Sequence, residues 1–474
     1  MAAPGIYVPT ELGTKKIGPL LRGYAIPAII AMTASSLYNM VDSIFIGHIP
    51  GAGPLAISGL AVTFPLMNIS TALGTLVGVG AATMISVLLG QKKYEGANKV
   101  LANEITLNII VGAIFTVFAL VFMDPVLRFF GASDNTLPYA RDYMTIIALG
   151  NIVTHLYFGL NSVIRSSGNP TMAMGLTLFT VGSNAILDPV FIFVLGMGIK
   201  GAAIATVLCQ AMALAYTLHY FFDRRKFLHV EPGTVFRLDW KIAGESLSIG
   251  MGPFLMNLAS CLVVVFINKQ MFRYGGDLAI GAYGIVNRIT FMFLMIVMGF
   301  NQGMQPIAGY NYGARQYSRV REVYVLTAIW GTIVTSIGFV VSVFFNKAAV
   351  GIFTSDQELR EIAARGLLAM NIIFPIVGFQ MVTTNLFQCL GMVRKSIFLS
   401  LTRQLLFLLP CVWLLPLWTD SVLGVWLSFP VSDLLSSITT GILAIILLRK
   451  LSRMSDGDNP SDIGSDGAKV FDVD

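Results

Sequence analysis

Twelve long apolar segments constrain this chain more than any other feature. Each holds the roughly 20 residues that an α-helix needs to cross the hydrocarbon core of a bilayer. The chain is 55% hydrophobic and only 12% charged, which is more apolar than a soluble domain requires. We therefore expect an all-α polytopic membrane protein. The segments lie at approximately 22–47, 55–89, 100–123, 138–163, 170–195, 200–222, 242–272, 279–311, 322–345, 360–388, 396–418 and 423–448.

The basic residues alternate between the two sides of this predicted bundle. Lys92, Lys93 and the run Arg224-Arg225-Lys226 fall on the side of the N-terminus, whereas the opposite loops hold few basic residues. By the positive-inside rule, both termini are expected to be cytoplasmic. Since the basic residues do not cluster in one domain, nucleic acid is not an expected partner.

The two halves of the chain repeat each other at one constant spacing in residue number. We call this spacing the repeat offset, and it is the difference between the residue numbers of Gly90 and Gly313. The segment G-Q-K-K-Y from Gly90 returns as G-A-R-Q-Y from Gly313, and G-A-A-I-A-T from Gly201 returns as G-V-W-L-S-F from Gly424. This pattern predicts a duplicated six-helix unit, with parallel repeats related by a pseudo-twofold axis along the membrane normal. The predicted parts are an interfacial N-terminus (1–21), an N-lobe (22–222), a cytoplasmic loop (223–241), a C-lobe (242–448) and a disordered tail (449–474).

The segment N-A-I-L-D-P places an amide and a carboxylate inside the fifth helix. Asn184 and Asp188 are one turn apart and share a face, and Pro189 removes a backbone donor beside the carboxylate. A charged residue within the membrane costs roughly 2.5–3.5 kcal/mol on insertion scales, so Asp188 is expected to face the bundle interior or an aqueous cavity. The alternative is a buried Asp that only bonds a neighbouring helix.

Two acids lie at the same depth in the first half of the chain. At ~1.5 Å rise per residue, Asp42, Asp188 and Thr206 all lie roughly 8–10 Å below the outer surface. A proton shared by the acids and a sodium ion held by oxygen ligands are both compatible with this set. A static polar network is the third interpretation. The predicted cation site comprises Asp42, Asn184, Asp188 and Thr206, with Tyr38 and Tyr143 as companions.

The second half of the chain has different intramembrane charges. Arg288 in the eighth helix and Asp433 in the twelfth lie at similar depths, and we expect them to form a structural ion pair. The run M-F-L-M-I-V-M from Met292 suits helix packing and the binding of large apolar cations. Candidate residues of a substrate cavity in this half are Met256, Asn257, Arg288, Met292 and Gln302.

Four motifs together resemble a known transporter family. They are Y-N-M-V-D-S-I-F-I-G from Tyr38, R-S-S-G-N-P from Arg165, N-A-I-L-D-P from Asn184 and Q-G-M-Q-P-I-A-G-Y-N-Y-G-A from Gln302. Over nearly all of residues 20–450 the chain resembles the multidrug and toxic compound extrusion (MATE) family, and within it the DinF/MepA-like bacterial branch.

The resemblance implies a fold, an activity and a site. The fold is two six-helix lobes that form a V around a central cavity. The activity is secondary antiport, in which organic cations leave the cell in exchange for H+ or Na+, with no other cofactor. The family's N-lobe coupling positions match Asp42, Asn184, Asp188 and Thr206. NorM-type members also use acids in the seventh and tenth helices, and these are missing here.

Two other functions compete with drug export. A lipid-linked saccharide flippase of the same superfamily commonly has fourteen helices or a strongly cationic cavity. An intramembrane aspartyl enzyme would use Asp42 and Asp188, but no motif of such enzymes is present. The G-x-x-x-x-G-K-[S/T] loop is also missing from the sequence, so ATP is not the expected direct energy source. We therefore expect a monomeric transporter, not an enzyme, whose partners are small organic cations and membrane lipid.

Overall fold

The computed structural model describes residues 10–458, and the regular structure in that range is helical. In the first half the helices are α1 (Glu11–Thr14), α2 (Ile17–Gly47), α3 (Gly53–Gly90), α4 (Tyr94–Val121), α5 (Met123–Phe129), α6 (Leu137–Leu149), α7 (Asn151–Ser166), α8 (Pro170–Pro189) with a π-helical turn at Val190–Val194, and α9 (Ile199–Phe222). The second half has α10 (Trp240–Gly313), α11 (Tyr317–Phe344), α12 (Asn346–Gly351), α13 (Gln357–Met370), α14 (Phe374–Cys389), α15 (Val393–Leu401) with a π-helical segment at Thr402–Leu408, α16 (Leu409–Thr419) and α17 (Val422–Arg453).

The helices supply the twelve predicted membrane crossings. In the described chain, nine helices are long and apolar enough to span a bilayer, and the bent pairs α6–α7 and α13–α14, each with a 56° bend, bring the number to eleven. The twelfth comes from α10, whose 74 residues are interrupted at Gly276 (φ 65°, ψ −161°). A left-handed φ is accessible to glycine at little cost, so the sequence allows a sharp turn there. The all-α fold class is confirmed.

The helix boundaries repeat along the chain. Five helices of the first half and five of the second half begin at positions separated by the repeat offset, which agrees with the duplication that the sequence predicts. The paired first residues are Tyr94 and Tyr317, Met123 and Asn346, Asn151 and Phe374, Pro170 and Val393, and Ile199 and Val422.

The described chain forms two compact units. Among the described residues, unit 1 contains 10–12 and Ile30–Phe254, and unit 2 contains Gly13–Ile29 and 255–458. Two helices therefore cross the division, because the first part of α2 packs in unit 2 and the first part of α10 packs in unit 1. The predicted lobes, by contrast, begin at residues 22 and 242.

Close backbone contacts at glycine residues explain why the first part of α10 packs in unit 1 and the first part of α2 packs in unit 2. A Cβ atom on Gly250 of α10 would lie 1.8 Å from the Leu76 carbonyl oxygen of α3, and one on Gly80 would lie 1.9 Å from the Ser246 carbonyl oxygen. In unit 2, a Cβ on Gly303 would lie 2.7 Å from the Cα of Ala25 in α2. Only glycine allows backbones to approach so closely, as is typical of helix pairs in membranes.

The long loop before α10 is held against unit 1. Its backbone N–H groups at His229, Phe236 and Asp239 donate to side-chain oxygens of α4 at 3.0, 3.2 and 2.9 Å. The acceptors are Asn98, Thr106 and Asn103, respectively. Polar side chains on one helix therefore accept hydrogen bonds from the backbone of a loop that has no regular structure of its own.

The predicted disordered tail begins too early. The last helix continues to Arg453, and the carboxylate of Asp456 then accepts hydrogen bonds from the Ser318 backbone N–H at 3.1 Å and the Ser318 hydroxyl at 2.6 Å. The backbone N–H groups and the positive dipole end at the start of α11 attract this carboxylate. Residues 459–474 of the predicted tail lie outside the described chain.

Replacing Gly250 with Ala should destabilise the protein, because the added methyl group forces α10 away from α3. We expect a lower melting temperature in detergent, because overpacking typically lowers the free energy of unfolding by ~1–3 kcal/mol. Gly244→Ala, on the same helix, is the control, since a Cβ there meets nothing within 4 Å and alanine favours the helix. Equal melting temperatures for the two variants would contradict the close packing.

Asp456 should stabilise the protein in a pH-dependent way. The hydrogen bonds from Ser318 lower the pKa of the Asp456 carboxyl group, so its contribution is fully present above the ordinary aspartate pKa of about 3.9 and is lost as the pH falls through the lowered pKa. We expect Asp456→Asn to lower the melting temperature at pH 7 and to have a smaller effect near pH 3. Asp458→Asn is the control, because the Asp458 carboxylate accepts only from the nearby Ser455 N–H among the described residues. An equal decrease in melting temperature at both pH values would show that the charge of Asp456 does not stabilise the protein.

Candidate functional site

The predicted cation-site residues come together within unit 1. Four helices contribute them: Tyr38 and Asp42 on α2, Tyr143 on α6, Asn184 and Asp188 on α8, and Thr206 on α9. Pairs four residues apart on α2 and α8 point their side chains the same way, as helix geometry requires.

The backbone around Asp188 is adapted to this site. Pro189 ends the regular part of α8, and the π-helical turn Val190–Val194 follows at once. A Cβ on Gly201 of α9 would lie 2.7 Å from the Phe191 backbone, so the missing side chain lets the widened turn pack against α9. π-Helical turns are frequent at functional sites.

Two carboxyl groups form the centre of the site. Those of Asp42 and Asp188 face each other at hydrogen-bonding range, and the two residues are 6% and 0% exposed. In the described chain, neither forms an ion pair with a basic side chain, and Asp42 Oδ1 has no hydrogen-bond partner. Two adjacent carboxylates that lack a counter-charge repel each other, so this arrangement calls for a shared proton or a bound cation.

Asn184 connects the acids to the hydroxyl groups. With its amide nitrogen toward Asp188, an orientation assigned from the hydrogen-bond network, it donates to the carboxylate and, at 3.2 Å, to the Tyr38 hydroxyl. Its oxygen accepts from the Thr206 backbone N–H at 3.1 Å. The hydroxyl groups of Tyr38 and Thr206 share a further hydrogen bond of 3.0 Å. Tyr143, 2% exposed, lies close to both acids.

The donor set bears on which cation this site accepts. The described chain has no group of three or more His, Cys, Asp or Glu side chains arranged to hold a metal ion. A sodium ion would therefore need the oxygens of Asn184 and Thr206 beside the two carboxylates. Because the Asn184 oxygen faces Thr206 in the assigned orientation, the amide would have to turn over to coordinate an ion between the acids.

Sequence reasoning missed Cys209, which it treated as a packing residue. This side chain is 1% exposed and interacts with Asn184 and Asp188. It follows Thr206 by three residues on α9, so helical spacing alone places the two side chains on one face. That spacing was the available signal.

The predicted substrate-cavity residues all belong to α10. Gln302 is half-buried, whereas Asn257 and Arg288 are exposed and Met292 is 60% exposed. They lie in unit 2, and their role in substrate binding stays a prediction. The five residues are Met256, Asn257, Arg288, Met292 and Gln302.

The predicted pair between Arg288 and Asp433 is wrong. Asp433 of α17 instead accepts a 2.7 Å hydrogen bond from the Nε atom of Arg403. Equal depth does not specify the direction of a side chain around its helix. Arg288 is exposed on α10, whereas Arg403 lies in the π-helical segment that packs against α17.

Known proteins share this fold and are similar to this chain in sequence. The MatE family model matches residues 27–190 and 249–414. The multidrug export protein MepA of Staphylococcus haemolyticus is 27% identical over 385 residues, which cover 80% of this chain and 83% of that protein. MepA of Staphylococcus aureus strain MSSA476 is 29% identical over 381 residues, with the same coverage. A solved outward-facing MATE family transporter of the MOP superfamily superposes with a TM-score of 0.86 at 21% identity, covering 95% of this chain and all of the other.

Replacing only one member of the Arg403–Asp433 pair should lower the stability of the protein more than replacing both members. Arg403→Gln leaves the Asp433 carboxylate buried without its partner, whereas Arg403→Gln with Asp433→Asn leaves two neutral groups of similar shape. We expect the single variant to have the lower melting temperature of the two, with a coupling of about 1–3 kcal/mol in the double-mutant cycle. Additive losses would show that the two side chains do not stabilise each other.

Proposed function

The chain belongs to the MatE family of membrane transporters, and from this membership and the paired acids of unit 1 we propose that it is a secondary active multidrug exporter. The compounds it exports are organic cations, and the entering ions are protons that bind at Asp42 and Asp188. The proposed location is the bacterial plasma membrane, with both termini in the cytoplasm, as the distribution of basic residues favours. The MepA proteins that it resembles are named as multidrug exporters.

The contact between the two carboxyl groups carries this proposal. A static brace in an apolar bundle is better made from neutral groups, because every buried charge without a partner costs free energy. Two acids that face each other, with one free buried oxygen on Asp42, instead form a site whose charge changes when a cation binds. Such a change can bias the equilibrium between two conformations.

The proposed coupling acts through α8. When protons neutralise both acids, Asn184 loses a charged acceptor at Asp188, and the hydrogen bonds that connect α8 to α2 and α9 weaken. The π-helical turn after Pro189 has a looser backbone than a regular helix and is the natural place for α8 to repack. Exchange follows when the proton and the drug favour different conformations, because only a difference in affinity shifts an equilibrium.

Sodium is the competing coupling ion. It would occupy the same oxygen cluster after Asn184 turned over, so the two ions predict different driving forces at one site. Proteoliposomes with separately imposed pH and sodium gradients distinguish them, with ethidium as a fluorescent cationic substrate. Ethidium transport driven by the pH gradient alone supports protons, and transport driven only by sodium would overturn this part of the proposal.

Asp188→Asn should uncouple transport from binding. We expect the purified variant to bind ethidium at equilibrium as the wild type does, while its gradient-driven transport falls by about tenfold or more, within the range of typical coupling free energies. Asp42→Asn should behave in the same way, because either change removes one member of the pair.

Asp142→Asn is the matched control for these variants. Asp142 lies next to Tyr143 on α6, but its side chain is 43% exposed and pairs with Lys200, so transport should be unaffected. If Asp42→Asn and Asp188→Asn both transport ethidium against a gradient at the wild-type rate, the acids are structural.

A further inference from the structure

We propose that Arg403, in unit 2, binds a carboxylate or similar anionic group on the transported compound. Arg403 would then be the residue that selects for a negatively charged group on a compound. This inference rests on the proposed export function, and it concerns a residue and a unit that the cation site in unit 1 does not use.

Arg403 lies deep in the membrane. The crossing formed by α15, the π-helical segment and α16 spans Val393–Thr419, and Arg403 is ten residues after its start. At ~1.5 Å per residue this is about 15 Å from the helix end, which is the middle of a hydrocarbon core about 30 Å thick.

The side chain is accessible despite this depth. Arg403 has 24% of its side-chain surface exposed, against 9% for its partner Asp433. An arginine exposed to lipid at the bilayer centre is energetically expensive, and intramembrane charges therefore face water or protein. The exposed part of the guanidinium is thus expected to face an aqueous space, where a dissolved compound can reach it.

Most of the donors of Arg403 are unused. Its Nε atom donates to Asp433 Oδ1, while the two terminal amino groups have no acceptor among the residues that the structure describes. A guanidinium presents its N–H groups as a planar fork that matches the two oxygens of a carboxylate. Asp433 occupies one edge of this fork, and the other edge is available.

The surrounding residues fix the guanidinium in place. The Ser432 hydroxyl donates to the Arg403 carbonyl oxygen at 3.0 Å, so α17 supports the backbone of the π-helical segment as well as the side chain. On α14, Gln380 is 3% exposed, and its amide nitrogen donates to Ser436. The Gln380 Oε1 atom is buried without a partner. Helix α17 therefore bonds both Arg403 and a buried amide whose oxygen is unused, which is more polar pairing than packing requires.

The repeat shows that this charge is particular to unit 2. At the repeat offset, the first-half counterparts of Arg403, Asp433 and Gln380 are Thr180, Gln210 and Tyr157. In unit 1 these are neutral and satisfied, since Tyr157 bonds Thr180 at 3.0 Å and Gln210 accepts from Thr154 at 2.6 Å. The same backbone positions therefore hold neutral, hydrogen-bonded side chains in one unit and an ion pair with free donors in the other.

Two dyes that differ at a single carboxyl group test this proposal. Rhodamine B carries a xanthylium cation and a free carboxylate, and its ethyl ester keeps the cation but lacks the negative charge. Fluorescence anisotropy titrations with purified protein give the affinity of each dye without any ion gradient. We expect the ratio of acid affinity to ester affinity to fall by about tenfold in Arg403→Gln with Asp433→Asn, as for the loss of a charge-assisted hydrogen bond.

The single change Asp433→Asn predicts the opposite effect. It leaves the guanidinium without an internal carboxylate, so the free acid should bind more tightly while the ester is unaffected. A purely structural pair would lower the affinity for both dyes together. Arg360→Gln is the control in the same unit, because the Arg360 guanidinium donates to the Lys347 carbonyl oxygen and should not affect either dye.

An unchanged acid-to-ester ratio in the double variant would overturn the proposal, provided that the variant elutes as a single species and melts cooperatively. Selective loss of acid binding would support it. Because the titrations need no gradient, they are independent of the coupling experiments. Failure of Asp188→Asn to uncouple transport would disprove the coupling site and leave this result standing.

Discussion

Two carboxyl groups that meet inside an apolar bundle set the conditions for the rest of unit 1. The pair of Asp42 and Asp188 has no basic partner in the described chain, so four helices supply neutral donors around it. The π-helical turn after α8, the missing side chain at Gly201 and the amide of Asn184 all belong to the structure that surrounds this pair. A membrane interior makes such an arrangement costly unless its charge is used.

Helical periodicity and depth predicted correctly that these side chains would come together, and their role as a cation site stays a prediction. Residues four apart on one helix must share a face, and residues at one depth on neighbouring helices are candidates for contact, so Asp42, Asn184 and Asp188 could be grouped from the sequence. Equal depth gave the wrong partner for Arg288. Each residue along a helix rotates the side-chain direction by about 100°, and the sequence does not specify which face of α10 packs against α17. The contact between Asp456 and Ser318 joins residues 138 apart in the chain, and no local pattern indicates such a pairing.

Duplication has preserved the backbone and changed the chemistry. Gly201 and Gly424 are equivalent in the repeat, and in both a Cβ would lie 2.7 Å from the backbone of the preceding helical segment. The acids of unit 1 have no acidic counterpart in unit 2, where the positions equivalent to Asp42 and Asp188 hold Val265 and Cys411. Unit 2 instead carries the Arg403 pair, whose counterparts in unit 1 are neutral, so the two units place these charged groups at different positions of the repeat.

The division of α2 and α10 between the units has a consequence for biosynthesis. Unit 1 includes the start of α10 up to Phe254, which follows its other helices in the chain. A ribosome that has inserted α9 has therefore not yet made the segment whose Gly250 packs against α3. Likewise, the first part of α2 can form its close contact only after Gly303 of α10 has been synthesised. The close packing of each unit is thus completed only when the second half of the protein enters the membrane, and neither half is a self-sufficient folding unit.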